Sequence, residues 1–543
     1  MGTKREGSPL TSETLDNFQA LGDSLPPTTT PDGRPIPYKR VRIHSHDDMK
    51  AAYHLACVYI EHPEVADQLE ELVLYNDSCT NSYGLTGSDE TSRNGKPAFS
   101  EKTHDALVKH ISSLGLSDES TASMTGVLSW VKECLNSPDS KDDITRDANV
   151  LAQTLTVAIL SLCKHIKTLQ IGSVSPYFDE LPPLDEYIVK SNYGAIPHPG
   201  LQELETVNFF PGGFLDGRDY DGVFPLDIMD CFHKLPALKT FSMSAVDESD
   251  NNERFLFPPG TGTFSKLHFT HVGLTSTGIC TMIRAVKSLK EFKIKFGGLW
   301  TIDGSSTSLH PSVMGACLAE HKTTLHTLDF DVKDGDLSYD NPSDSEDEDD
   351  EEDDDDDDDG RVKEKELYDV DTNEYTHPIG GKQKFRGPLR PKEVTDTRKL
   401  QTKGIGSLNE FDALTHLSIS PNALLDIDRN HDSNEDTAAR LVDILPPNLQ
   451  SLCFYGYEKG KNEQLDDQMK ELKDMATSSF PTLVNIKGVD ELIPAGDVGA
   501  KQSRAKNGDN ESDEEDDEDE DEDGEEELWD RPDPSKDIGW IKA

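Results

Sequence analysis

One six-residue frame recurs along this chain: apolar, two variable residues, apolar, one variable residue, apolar. It reads YKRVRI (Tyr38, Val41, Ile43), LEELVL (Leu69, Leu72, Leu74), IKTLQI (Ile166, Leu169, Ile171) and LETVNF (Leu204, Val207, Phe209). It returns as LKTFSM (Leu238, Phe241, Met243), FSKLHF (Phe264, Leu267, Phe269), LKEFKI (Leu289, Phe292, Ile294) and LHTLDF (Leu325, Leu328, Phe330). The last full copies are LTHLSI (Leu414, Leu417, Ile419) and LQSLCF (Leu449, Leu452, Phe454), with a degraded eleventh, LVNIKG, from Leu483. Starts are separated by 31, 97, 38, 34, 26, 25, 36, 89, 35 and 34 residues, so all but two intervals share one period. The last two apolar positions of the frame are two residues apart and project from one face of a short strand. The first belongs to the turn that enters the strand. One such unit cannot bury its apolar face, whereas stacked units share a continuous core.

The frame is the LxxLxL core of a leucine-rich repeat, in versions long enough to hold a helix each. The predicted fold is therefore an α/β solenoid of about ten irregular repeats, a curved parallel sheet with helices outside. The intervening residues carry helical spacing. Ile279, Met282, Ile283, Val286 and Leu289 fall on one face, as do Leu151, Leu155, Ala158, Ile159 and Leu162. The two long intervals differ. Residues 75–145 carry helical spacing at Ala106, Leu107, Ile111 and Leu114 behind a Ser100 cap, and again at Met124, Leu128, Val131 and Leu135. They are expected to be a helical elaboration on the solenoid. Residues 334–404 hold the unbroken acidic run Glu346–Asp359 and an aperiodic charged stretch, and are expected to be a mostly disordered insert between repeats. The predicted organisation is a disordered N-terminus over 1–35, the solenoid over 36–490, and a disordered acidic tail over 491–543.

Charge narrows the partners. The formal net charge is −52; Glu346–Asp359 contributes 14 negative charges, and Asp513–Asp523 with Glu525–Glu527 another 14. Removing those 28 leaves −24, so the repeat region is acidic as well. Such a polyanion does not hold nucleic acid phosphates by bulk electrostatics. It attracts basic proteins, such as histones or ribosomal proteins, in a salt-dependent way. No apolar run reaches membrane-spanning length, and MGTKREGSPLTSETLDNF lacks a signal-peptide centre. The eight cysteines stand singly, without CxxC spacing, which argues against zinc and for reduced thiols in the cytoplasm or nucleus. The chain carries no GxSxG, GxxxxGK[ST], HExxH or GxGxxG motif, so neither an enzymatic activity nor a cofactor is expected.

Three stretches in fixed order, Cys317–Asp331, Ile405–Ser420 and Leu441–Tyr457, resemble the repeat region of F-box/leucine-rich-repeat proteins of filamentous fungi, and Val41–Asp77 resembles the segment following the F-box there. The resemblance covers roughly residues 38–490. It implies a substrate-binding repeat array that an F-box, where present, would attach to the adaptor of a cullin–RING ubiquitin ligase. Residues 1–37 are polar and Pro-rich, with Leu15, Phe18 and Leu21 enough for a turn or two of helix, and do not supply the F-box pattern.

The variable residue between the two strand positions faces away from the core. In a solenoid these residues line the concave face, a common binding surface. They are Arg42, Val73, Gln170, Asn208, Ser242, His268, Lys293, Asp329, Ser418 and Cys453. Two acidic loops fail as calcium sites. Asp426, Asp428 and Asn430 match the start of an EF-hand loop, but His431 and Thr437 replace its glycine and bidentate carboxylate; Asp219 and Asp221 lack further ligands. Ser343, Ser345 and Ser512 each have an acidic residue at +3 and are candidates for an acid-directed kinase. Trp529 and Trp540, beyond the acidic tail, read either as an exposed docking motif or as a loosely held terminus.

Overall fold

Each copy of the frame becomes a strand in the computed structural model. The structure describes residues 27–30, 33–75, 100–136, 148–172, 181–210, 225–247, 260–296, 309–332, 337, 368–369, 374–377, 381–384, 404–425, 440–496 and 537–543. The chain divides into two units, one of Met1–Ile171, Pro182–Glu203 and Pro532–Ala543, the other of Gly172–Leu181 and Leu204–Arg531.

In unit one, β1 (Tyr38–Ile43), β2 (Glu71–Leu74) and β3 (Thr168–Ile171) pair in parallel. Parallel neighbours need a crossover of a dozen residues or more, usually helical. Helix α1 (His46–Glu61) supplies the first. It opens at a capping box, in which the Ser45 hydroxyl accepts from the Asp48 N–H and the Asp48 carboxylate accepts from the Ser45 N–H. A short α2 (Pro63–Ala66) follows. The expected helical elaboration contains α3 (Glu101–Ser112), capped by Ser100, and α4 (Asp118–Asn136). Helices α5 (Ala148–Leu162) and α6 (Pro183–Asn192) complete the helical layer. Leu107, Ile111, Met124, Leu128, Leu155 and Ile159 are buried, as their spacing requires.

Unit two holds eight parallel strands in the order β4-β5-β6-β7-β8-β12-β13-β14. They are β4 (Thr206–Phe209), β5 (Thr240–Asp247), β6 (Lys266–Gly273), β7 (Glu291–Phe296) and β8 (Thr327–Asp331), then β12 (His416–Ile419), β13 (Ser451–Phe454) and β14 (Asn485–Lys487). The connecting helices are α7 (Pro225–Phe232), α8 (Ser276–Ala285), α9 (Pro311–Ala319), α10 (Pro421–Leu424), α11 (Leu441–Ile444) and α12 (Glu463–Ser479). The core is aromatic where the repeats are shortest. Phe209 and Phe241 stack at 5.8 Å, and Phe241 meets Phe264 at 5.5 Å. Such pairs add to simple area burial. Buried His321 ties neighbouring repeats together: one ring nitrogen accepts from the Leu289 N–H (3.3 Å) and the other donates to the Ile283 carbonyl (3.0 Å). Burial lowers its pKa, consistent with a neutral imidazole.

The long insertion leaves the ladder intact, because β8 pairs directly with β12, Leu328 opposite Leu417 and Phe330 opposite Ile419. The insert expected to be mostly disordered over 334–404 contains some described structure. Tyr368–Asp369, Glu374–His377 and Gly381–Lys384 form a three-stranded antiparallel sheet, β9–β11. Leu337 makes an isolated bridge to Leu309. The expected disorder of 1–35 also fails at its end: Thr29 bridges Pro35, and the Tyr38 hydroxyl donates to the Pro27 carbonyl at 2.6 Å.

Of the expected disordered tail, the last residues are described and pack within unit one. Ile541–Lys542 forms β15, antiparallel to the edge of β1, and Trp540 is buried rather than exposed. Beyond the acidic run the composition changes to DIGWIKA, whose tryptophan and single side-chain carboxylate both find partners on β1. The acidic runs, the two candidate calcium loops, Trp529 and the serines at 343, 345 and 512 lie outside the described residues. No helix among the described residues is long and apolar enough to cross a membrane.

Candidate functional site

Because the strands pair in register, their outward residues fall into rows. In unit two Asn208, Ser242, His268, Lys293, Asp329, Ser418 and Cys453 are successive partners across seven strands, and Lys487 of β14 extends the row. At about 4.8 Å between strands the row runs for roughly 34 Å. All seven from Asn208 to Cys453 are partly exposed, while the alternating core residues beside them are buried.

The centre of the row is charged. Glu291, two residues before Lys293 on β7, faces the same way. Its carboxylate accepts from Lys293 at 2.6 Å, Lys266 at 3.0 Å and His268 at 3.1 Å. Burial opposes its ionisation, but the hydrogen bonds from Lys293 and Lys266 and the neighbouring positive charge outweigh it and hold the carboxyl at about 2. For His268 burial is the larger influence and lowers its pKa in spite of Glu291. Lys295, further along β7, has no acidic side chain within ion-pair distance among the described residues. This end of the patch is thus cationic on an acidic protein.

The next strands reverse the sign. Asp329 lies opposite Lys293, and the Tyr455 hydroxyl donates to it at 2.8 Å. Burial raises the Asp329 pKa against the opposing influence of Tyr455 and Lys293. Asp331, two residues on, accepts from the Gly496 N–H at 2.6 Å. Burial, followed by the charge of Asp329, raises the Cys453 thiol pKa, so this thiol is not an activated nucleophile.

Glu291 gives a pH prediction. A carboxyl held below its unfolded value of about 4.5 contributes stability above that pH and loses it as the pH falls from 4.5 towards 2. Screening at the half-exposed lysines reduces the contribution to roughly 1–2 kcal/mol. Glu291→Gln should therefore flatten that acid limb in denaturant titrations between pH 5 and 2.5. An unchanged limb would show that the carboxylate is not stabilising there.

In unit one the corresponding row is Arg42, Val73 and Gln170, and it is already used. Gln170 donates to Glu71 at 2.7 Å and Val73 is buried. Arg42 pairs with Asp48 at 3.0 Å and stands 3.8 Å from Asp537. The residues missed in the sequence, Lys266, Glu291, Lys295 and Tyr455, sit two places from frame residues on the same strands. Lys266 and Glu291 are variable positions inside their own frames and Lys295 and Tyr455 follow theirs directly, so strand alternation applied to every variable position, and one residue past the frame, would have found them. Among the described residues no group of three or more His, Cys, Asp or Glu side chains is placed to hold a metal ion.

Residues 392–515 match a family model described as a leucine-rich repeat domain. The match includes β12, β13 and β14, and it agrees with a mostly parallel sheet backed by helices, an architecture compatible with an α/β solenoid. No curated protein and no solved structure matches the chain. Leucine-rich repeat domains are typically non-catalytic modules that bind proteins, so the match supports an interaction scaffold.

Proposed function

We propose that this chain is a non-catalytic protein-binding scaffold whose partner lies along the row from Asn208 to Lys487 of unit two. The observation that carries the reading is the row itself: eight strands in register present adjoining cationic and acidic patches, centred on Glu291 and Asp329, with Lys295 outside any ion pair among the described residues. Adjacent patches of opposite sign orient a partner and set its register more than they add raw affinity. The F-box-like resemblance supports a narrower form, a substrate receptor for a cullin–RING ubiquitin ligase. The acidic runs at 346–359 and 513–527 favour a second reading, a chaperone-like binder of basic proteins.

The two readings separate experimentally. Affinity purification of the wild-type chain and of a Lys293→Glu, Asp329→Lys variant shown by circular dichroism to be folded should show row-dependent partners lost by about tenfold or more in the variant. Adaptor and cullin subunits among the salt-resistant partners support the narrower form. Basic proteins retained by the variant, and lost on deleting both acidic runs or raising salt, would replace it with the second reading.

A further inference from the structure

The outward face of unit one is filled by the protein itself. Arg40 and Arg42 of β1, with Glu71 and Tyr75 at the two ends of β2, form a cleft that holds Asp537–Trp540. The Arg40 guanidinium is nearly inaccessible. Its Nε donates to Glu71 at 3.0 Å, which aims the fork of Nη1 and Nη2 outward. Those two nitrogens donate to the two oxygens of Asp537 at 2.8 and 2.7 Å, and Nη1 also donates to the Gly539 carbonyl at 2.5 Å. The Tyr75 hydroxyl donates to the same carboxylate at 2.8 Å. Three residues on, the Trp540 indole N–H donates to the Arg42 carbonyl at 2.8 Å, and its ring stands edge-on to Tyr38 at 4.9 Å. The backbone then continues as an added strand, the Ala543 N–H donating to the Pro37 carbonyl at 3.0 Å.

These contacts have the form of peptide recognition. A bidentate arginine selects a carboxylate, an edge strand supplies main-chain hydrogen bonds, and a pocket takes an alternate side chain. The receptor residues named lie between Pro37 and Tyr75. The bound segment follows forty residues, 497–536, that contain the second acidic run. A tether of that length raises the local concentration of a ligand without building its site.

We propose that this face of unit one is a peptide-binding site for extended segments carrying an aspartate three residues before a tryptophan, and that Asp537–Ala543 is its resident ligand, held in cis and exchangeable in trans. The site is separate from the row of unit two and stands or falls independently of it.

The test uses a fluorescent peptide of residues 532–543. It should bind the full chain carrying Asp537→Ala and Trp540→Ala, whose site is vacated, at least about tenfold more tightly than the wild type, where the tethered segment competes. The Asp537→Asn peptide should lose about tenfold or more, because the arginine fork then faces a neutral amide. A folded double variant that fails to bind, or equal binding to both chains, would overturn the proposal. A second measurement does not depend on that variant folding. Excess unlabelled peptide added to the wild-type chain should accelerate hydrogen exchange of the chain's own 541–543 amides, and unchanged exchange would count against a releasable ligand.

Discussion

Gly315→Ala is expected to destabilise unit two by about 2–3 kcal/mol, although alanine is the better helix former by up to about 1 kcal/mol. Gly315 lies within α9, and a methyl group there would stand 1.9 Å from the Ile405 carbonyl oxygen and 2.7 Å from its carbonyl carbon. The helix cannot simply shift, because Val313, Met314, Cys317 and Leu318 are packed in the core. The opposing backbone is held as well. The Ile405 N–H donates to the Ala423 carbonyl at 2.9 Å, and Gly404 is itself pressed against the Leu424 carbonyl, where a Cβ would lie at 2.8 Å. This is the place where the chain re-enters the repeats after its insertion. Denaturant unfolding followed by circular dichroism checks the prediction. A neutral or stabilising change would mean that the 404–405 backbone yields readily, contrary to its hydrogen bonding.

Asp537→Ala is expected to remove up to about 3–5 kcal/mol from unit one, the range for breaking a buried ion pair by deleting one partner. Both side chains are almost fully buried, at 5% and 6% exposure. Burial alone would raise the Asp537 pKa, but hydrogen bonds from Arg40, the Gly539 N–H and Tyr75 outweigh it and lower it. There are two ways to lose the pair. If the strand stays docked, Arg40 is left buried with Glu71 as its one remaining carboxylate and the Gly539 carbonyl as its other partner, and the full penalty applies. If the strand lets go, Arg40 is rehydrated and the loss is capped at the docking free energy of the segment. Hydrogen exchange at 541–543 tells them apart, since only release exposes those amides. Replacing both partners, as in Arg40→Met with Asp537→Leu, should cost much less than the single change, because no charge is then stranded. A single variant as stable as the wild type would mean that the pair contributes nothing net.

The sequence made the repeats legible because each frame states its geometry locally: two apolar residues two apart, at a regular period. What it obscured follows from the same physics. Strands β5, β6 and β7 run past their frames to Asp247, Gly273 and Phe296, and β6 does so through a register shift near His271, whose φ is +54°. That irregularity breaks the alternation on β6 beyond its frame, whereas β7 keeps it through Lys295. The small sheet at 368–384 is built from strands of two to four residues, too short to show any period. The pairing of Arg40 with Asp537 spans 497 positions and rests on single charges, and DIGWIKA carries one carboxylate and one tryptophan after a long acidic run, which composition alone reads as tail. The charged centre of the row was half legible. Lys293, Asp329 and His268 came from the variable position between the two strand apolar residues, whereas Glu291, which organises them, is the variable residue two places earlier in its frame.

The closing strand also bears on how the protein is made. Arg40 is synthesised among the first residues of unit one, but the carboxylate that neutralises it emerges almost five hundred residues later. Throughout translation the nascent chain therefore displays an open strand edge beside an arginine whose outer fork lacks its counter-charge, the kind of unpaired edge that invites wrong pairing. Any message or polypeptide cut short of Asp537 would leave that edge uncovered for good. A premature stop far from the repeats would then have a local structural signature at β1, recognisable by factors that bind exposed strand edges.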